Sequence, residues 1–78
     1  MSRKIKLLWD FRGVDAKETA KHHVIHLKEF AALEKVPFFE IDIVKKNEML
    51  FSAFIVVAEK DMKFYRDALK PHRGEVAD

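Results

Sequence analysis

The segment Leu50–Ala58 constrains the fold most, because Ser52 is the only polar residue within it. A short apolar run rich in β-branched and aromatic residues is typical of a strand that is buried on both faces. Such a strand lies in the interior of a sheet. The chain must therefore supply a neighbouring strand on each side of it and cover for two faces.

Two other segments alternate as half-buried strands do. In Lys4–Arg12 and in Phe38–Val44 an apolar residue recurs at every second position. The polar turn Lys45-Lys46-Asn47-Glu48, in which Asn47 is a candidate for a left-handed residue, joins Phe38–Val44 to Leu50–Ala58 and predicts a hairpin. We therefore predict the sheet order 1-3-2, with the doubly apolar strand in the middle.

Two helices are expected between and after these strands. The first begins near Ala16 with Asp15 as its N-cap and ends before Pro37, because a residue that precedes proline avoids the helical region. The second has Asp61 as its N-cap and ends at Pro71.

The predicted fold class is α+β, a ferredoxin-like β-α-β-β-α arrangement that lacks the last strand, with both helices on one face of the sheet. Residues 1–78 form a single domain, in which residues 72–78 are expected to be a frayed tail. The chain has no cysteine, which excludes disulfides and is typical of a reducing compartment. No apolar run is long enough to span a membrane, and we expect a cytoplasmic protein.

The sheet face opposite the helices is predicted to carry an apolar patch. It would include Leu8, Phe38, Val44 and half of the third strand. Exposed apolar patches and open strand edges are where protein chains associate. We therefore expect a homodimer, formed through this open sheet face or through the edge of the first strand; a monomer that tolerates the patch is the alternative.

Three histidines within one turn of the first helix are the candidate chemical groups. His22 and His26 are one turn apart, the spacing at which two imidazoles can bind one metal ion, although no third ligand follows from the sequence. His23 falls within the apolar stripe of the helix, so His23 and His26 are the candidate catalytic acid/base residues. The alternatives are a polar helix flank for His22 and His26, and a core histidine with satisfied nitrogens for His23.

Trp9, Asp10 and Asp42 are the candidate ligand-binding residues, because each could reach a buried imidazole or line a cleft. No phosphate loop, dinucleotide fingerprint or zincin motif is present, and we expect no cofactor. The net charge is +2 with interspersed signs, which disfavours a nucleic-acid partner.

Three segments together resemble the dimeric α+β-barrel superfamily, and within it the YCII-related domains. They are His23-Val24-Ile25-His26-Leu27, Ile55-Val56-Val57-Ala58-Glu59 and Asp61-Met62-Lys63-Phe64-Tyr65-Arg66-Asp67-Ala68. The resemblance implies ferredoxin-like protomers that pair through their sheets around a pocket. It also implies that His26 or His23 is the pocket histidine in members that are enzymes.

Three functions follow from these features. The first is a small dimeric interaction or small-ligand-binding domain without catalytic machinery. The second is a small enzyme of the dimeric α+β-barrel type with a pocket histidine as acid/base. RNA binding is a distant third, because the third strand lacks the glycine and the basic residue of the RNA-recognition signature.

Overall fold

The computed structural model describes residues 3–77, which form two helices and four strands. In chain order these are β1 (Lys4–Arg12), α1 (Ala16–Glu34), β2 (Glu40–Asn47), β3 (Leu50–Ala58), α2 (Glu59–Leu69) and β4 (Arg73–Val76). All neighbouring strands pair antiparallel in one sheet. The predicted α+β class is confirmed.

The sheet has the strand order β2-β3-β1-β4. β3 lies between β2 and β1, and its pairing with β1 runs from Lys4 opposite Ala58 to Arg12 opposite Leu50. Neighbours on both sides satisfy the backbone of this apolar strand, whose residues from Phe51 to Val57 are all buried.

The prediction of a missing last strand was wrong. Arg73–Val76 pairs with Leu8–Ile5 as β4, so the expected frayed tail forms an edge strand; Asp78 lies outside the described residues. Four mostly polar residues carry no periodic signal of their own, and the pairing is dictated by the edge that β1 offers. β4 therefore occupies the part of the strand-one edge through which a dimer was expected.

The main core lies between the sheet and the two helices. It contains alternate residues of the strands, the buried stripe of α1, and Tyr65 of α2. The Tyr65 hydroxyl donates a hydrogen bond of 2.6 Å to the Val36 carbonyl. This buried hydroxyl therefore has a partner within the apolar layer. Burial, and then the nearby Asp61 carboxylate, raise the pKa of Tyr65.

The opposite sheet face is less apolar at its surface than predicted. Leu8, Phe54 and Val56 form a small second cluster and are only 2%, 7% and 6% exposed. The Lys6 ammonium lies 4.6 Å from the centre of the Phe54 ring, so a long charged side chain covers part of the cluster. Phe38, expected on this face, precedes β2 and is exposed.

Both helices begin without the predicted side-chain caps. α1 begins at Ala16 as expected, but Asp15 makes no side-chain cap and its carbonyl accepts hydrogen bonds from the Thr19 N–H and hydroxyl. α2 begins at Glu59, two residues before Asp61, and the Glu59 N–H donates a hydrogen bond to the Arg3 carbonyl. Each helix is followed by a C-cap residue in the left-handed conformation, Lys35 after α1 and Lys70 after α2.

The turn between β2 and β3 differs from the prediction in detail. Asn47 is not left-handed; its side-chain oxygen accepts a hydrogen bond of 2.8 Å from the Met49 N–H. A bulge between Lys45 and Asn47 accommodates the turn. Neither α1 nor α2 is long and apolar enough to cross a membrane, and the cytoplasmic location stays a prediction.

Candidate functional site

A cavity of about 480 Å³ opens between the first half of α1 and the end of β1. Its lining consists of Phe11, Glu18, Thr19, His22, His23 and His26. The five helical residues are two adjacent pairs, at 18/19 and 22/23, and His26; each pair or residue follows the one before it by one helical turn, so their side chains share one side of the helix. Phe11 reaches the cavity because odd-numbered residues of β1 face the helices.

Gly13 sets the position of α1 over the end of β1. Its φ of +111° is a conformation that a residue with a side chain rarely adopts. Its N–H donates to the Met49 carbonyl and its carbonyl accepts from the Ala16 N–H. The turn thereby connects the end of β1 to both the β2–β3 turn and the first helical residue.

His23 is the most deeply placed of the cavity histidines. Its ring centre lies 4.7 Å from that of Trp9 and 5.6 Å from that of Phe11. Its Nε2 atom is buried and has no hydrogen-bond partner. Burial lowers the pKa of His23, and the positive charges that His26 and His72 can carry lower it further. The ring is therefore neutral at pH 7, with one nitrogen held in an apolar environment.

His22 and His26 lie at the outer side of the same cavity. Their ring centres are 4.7 Å apart in an edge-on arrangement, and His26 Nδ1 is 3.5 Å from a carboxylate oxygen of Glu29. Within residues 3–77 no group of three or more potential ligands is arranged to hold a metal ion. Metal binding by His22 and His26 stays a prediction; a rise in Tm on adding Zn²⁺, lost in His26→Ala, would demonstrate it.

The fourth histidine also lies close to this region, which the sequence did not predict. The His72 ring centre is 6.3 Å from that of Phe11, and the Phe11 ring also contacts His23. His72 Nδ1 accepts a hydrogen bond of 2.9 Å from the Asp10 N–H. No local signal could have placed His72 here, because its position depends on the pairing of β4 with β1.

The structure separates the three candidate ligand-binding residues. Trp9 faces the helices, is 3% exposed and donates through Nε1 to the Leu69 carbonyl at 3.0 Å. Asp10 and Asp42 lie on the opposite face of the sheet, because residues alternate along each strand. Asp42 is exposed and accepts a hydrogen bond from the Ile43 N–H. Trp9 therefore contacts the histidine region through the ring of His23, whereas the Asp10 and Asp42 carboxylates lie on the other side of the sheet from the histidine cavity.

Asp10 instead joins three strands on the open face. Its carboxylate accepts a hydrogen bond of 2.5 Å from the Ser52 hydroxyl and two from the Arg73 guanidinium, at 3.1 and 3.3 Å. The hydrogen bonds from Arg73, and then that from Ser52, lower the pKa of Asp10. Neither Ser52 nor Arg73 was among the predicted site residues, although Ser52, as the lone polar residue in an apolar strand, carries a visible signal in the sequence.

No family model, curated protein or solved structure matches this chain.

Proposed function

We propose that this chain is a small-ligand-binding domain whose site is the cavity of about 480 Å³ on α1. The observation that carries the proposal is that three histidines and one phenylalanine line the same open cavity. Small-molecule sites are typically concave and largely apolar, with a few convergent polar groups. No other described cavity brings several imidazoles together.

The lining favours a flat ligand that is neutral or positively charged. Phe11 and the imidazole rings offer aromatic surfaces, and the lining contains one carboxylate, that of Glu18, and no lysine or arginine. A negatively charged ligand would meet that carboxylate without a compensating cation in the lining. We therefore expect an aromatic or heteroaromatic amine to bind better than the corresponding carboxylate.

Titration of the isotopically labelled protein with benzylamine, benzyl alcohol and benzoate tests the proposal. Chemical-shift changes should centre on Phe11, Thr19 and the cavity histidines, in the order amine, alcohol, benzoate. The Glu18→Gln variant should lose the preference for the amine. Glu34→Gln, at the other end of α1 and outside the lining, is the matched control and should keep it. Changes spread over the whole surface, or none at millimolar concentration, would overturn the proposal.

A small enzyme with His23 or His26 as acid/base is the second candidate. It is favoured by the lowered pKa of His23, since a neutral imidazole near a cavity can accept a proton at pH 7. Titration of each imidazole by NMR tests this idea. A His23 ring that titrates at or above its ordinary pKa would remove the observation that favours this candidate.

We also infer that two copies of the domain can pair through their open sheet faces in a ferredoxin-like arrangement, as the resemblance to the dimeric α+β barrels implies. The open face carries four cationic and four anionic strand residues: Lys4, Lys6, Arg12, Arg73, Asp10, Glu40, Asp42 and Glu75. Such a balanced face is complementary to a second copy of itself and unsuited to a polyanion such as RNA.

Sedimentation equilibrium tests the pairing. A dimer at micromolar concentration should dissociate in the Lys6→Glu variant, which unbalances the face, and persist in Lys28→Glu on α1. A monomer at all concentrations would overturn the inference.

A further inference from the structure

A second cavity, of about 380 Å³, lies between α2 and β4 on the helix-covered side of the sheet. It is separate from the histidine cavity and shares no lining residue with it. We propose that it binds a carboxylate with a medium-length apolar chain, the chain lying against the cavity floor and the carboxylate on Arg66. This site is independent of the proposed histidine site.

The cavity exists because α2 does not extend over β4. Within the described residues α2 contacts β1 and β3 and makes no backbone contact with β4. Gly74, which faces this side, has no side chain to fill the space; a Cβ there would lie 3.3 Å from a methyl group of Leu7. The gap is therefore a consequence of where the helix ends and of which residue lies opposite Leu7.

The floor of the cavity is apolar. It is formed by Ile5, Leu7, Met62, Pro71 and Val76. Val76 is 56% exposed although it is the one large apolar residue of β4. Covering it and its neighbours with an alkyl chain would tighten binding by roughly fourfold for each methylene fully removed from water.

The charge on the rim selects an anion. Arg73 and Glu75, which also line the cavity, are already paired with each other, and Arg73 is paired with Asp10 as well. Arg66 is also ion-paired, but only through Nε to the neighbouring Asp67, which does not line the cavity. A guanidinium has five N–H donors, so its terminal nitrogens can bind a carboxylate in a bidentate manner.

Titration with octanoate tests the proposal, with 1-octanol as the uncharged probe of matched chain length. Chemical shifts of the Met62 methyl group and of Gly74 and Val76 should respond to octanoate, and 1-octanol should bind at least about tenfold more weakly, the equivalent of ~1.4 kcal/mol. Arg66→Gln should weaken octanoate binding to the level of octanol. Lys28→Gln removes the same charge from α1 and should leave binding unchanged.

Three results would overturn the proposal. They are no response to octanoate at millimolar concentration, equal binding of octanoate and octanol, and an equal loss of affinity in Arg66→Gln and Lys28→Gln. Arg66 is an exposed helix residue, so both glutamine variants should fold. His23→Leu should not alter octanoate binding, which separates this site from the histidine cavity.

Discussion

Ser52 is fully buried in β3, and its hydroxyl has one partner, the carboxylate of Asp10 on the neighbouring strand. The carboxylate in turn holds Arg73 of β4. Three side chains thus connect three strands across a surface that is otherwise held by backbone pairing. Removing one of them leaves the others with unmet hydrogen-bonding groups.

Ser52→Ala should therefore destabilise the protein. We expect a loss of about 1–2 kcal/mol in the free energy of unfolding, because a buried hydrogen bond to a charged group is lost. Urea denaturation at pH 7 measures it. The control is Thr19→Ala, which removes the hydroxyl of an exposed residue of α1. We expect a clearly smaller loss in this variant, and equal losses would contradict the role of Ser52.

The lowered pKa of Asp10 predicts acid-sensitive stability. The folded state holds the proton of Asp10 less tightly than the unfolded chain, where its pKa is near 3.8. The stabilisation is present in full above about pH 5 and is lost as the pH falls through the folded-state pKa. Asp10→Asn should be less stable than the parent at pH 7 and approach it at pH 3. Asp42→Asn, which removes an exposed carboxylate, should change the pH profile little.

The lowered pKa of His23 also predicts that the protein loses stability as the pH falls, but at a higher pH than for Asp10. Its folded-state pKa lies below the ordinary value of 6.5, so the unfolded chain takes up a proton first as the pH falls. The unfolding free energy should decrease as the pH falls through 6.5 and level off below the folded-state pKa. His23→Leu should remove this decrease and add about 1 kcal/mol at pH 7, because it eliminates an unpartnered buried nitrogen.

His26→Leu is the control for that variant. His26 has a largely exposed side chain, so its replacement should not stabilise the protein at pH 7, because the buried, unpartnered nitrogen of His23 stays in place. A destabilised His23→Leu protein would instead indicate that the contacts with the Trp9 and Phe11 rings outweigh the cost of the buried nitrogen.

Helices α1 and α2 are both followed by a lysine in the left-handed conformation, with φ of 56° at Lys35 and 50° at Lys70. Glycine is the usual residue there because a Cβ makes this conformation costly. Lys35→Gly and Lys70→Gly should each stabilise the protein by up to about 1 kcal/mol. Thermal unfolding measures it. Lys28→Gly, in the interior of α1, should destabilise by about 1 kcal/mol; stabilisation by all three would contradict the explanation.

The elements that the sequence predicted are those with a local signal. β1 and β3 have the predicted bounds because alternation and an uninterrupted apolar run are visible within nine residues. β2 runs from Glu40 to Asn47 instead of from Phe38 to Val44, although the Phe39 N–H still donates a hydrogen bond to the Val56 carbonyl of β3. β4 has no such signal, because Val76 is the only large apolar residue among its four.

At the scale of the whole molecule, what could not be predicted depends on pairing between distant segments. The three helix histidines and Phe11 were within reach of spacing arguments, and His22, His23 and His26 do line one cavity. The positions of His72 and Arg73, and the cavity between α2 and β4, depend on the pairing of β4 with β1. The apolar surface on the open face was also overestimated, because the Lys6 side chain covers part of the Phe54 ring.

The attachment of β4 can be tested across the whole sheet. Arg73→Ala removes the hydrogen bonds to Asp10 and Glu75, and should speed amide hydrogen exchange in β4 and in its partner residues Ile5–Leu8. Exchange in β3, which lies away from β4, should change less. Uniformly faster exchange throughout the sheet would show that β4 opens only with global unfolding.

The pairing of β1 with β4 also has a consequence for how the chain is made. The indole N–H of Trp9 donates a hydrogen bond to the carbonyl of Leu69, sixty residues further along the chain. β4 follows Leu69 in the sequence. During synthesis β1 therefore leaves the ribosome long before its outer partner does, with one edge unpaired. An unpaired strand edge can associate with other strands. The charges of Lys4 and Lys6 along β1 are then a protection for the nascent chain as much as a feature of the finished surface.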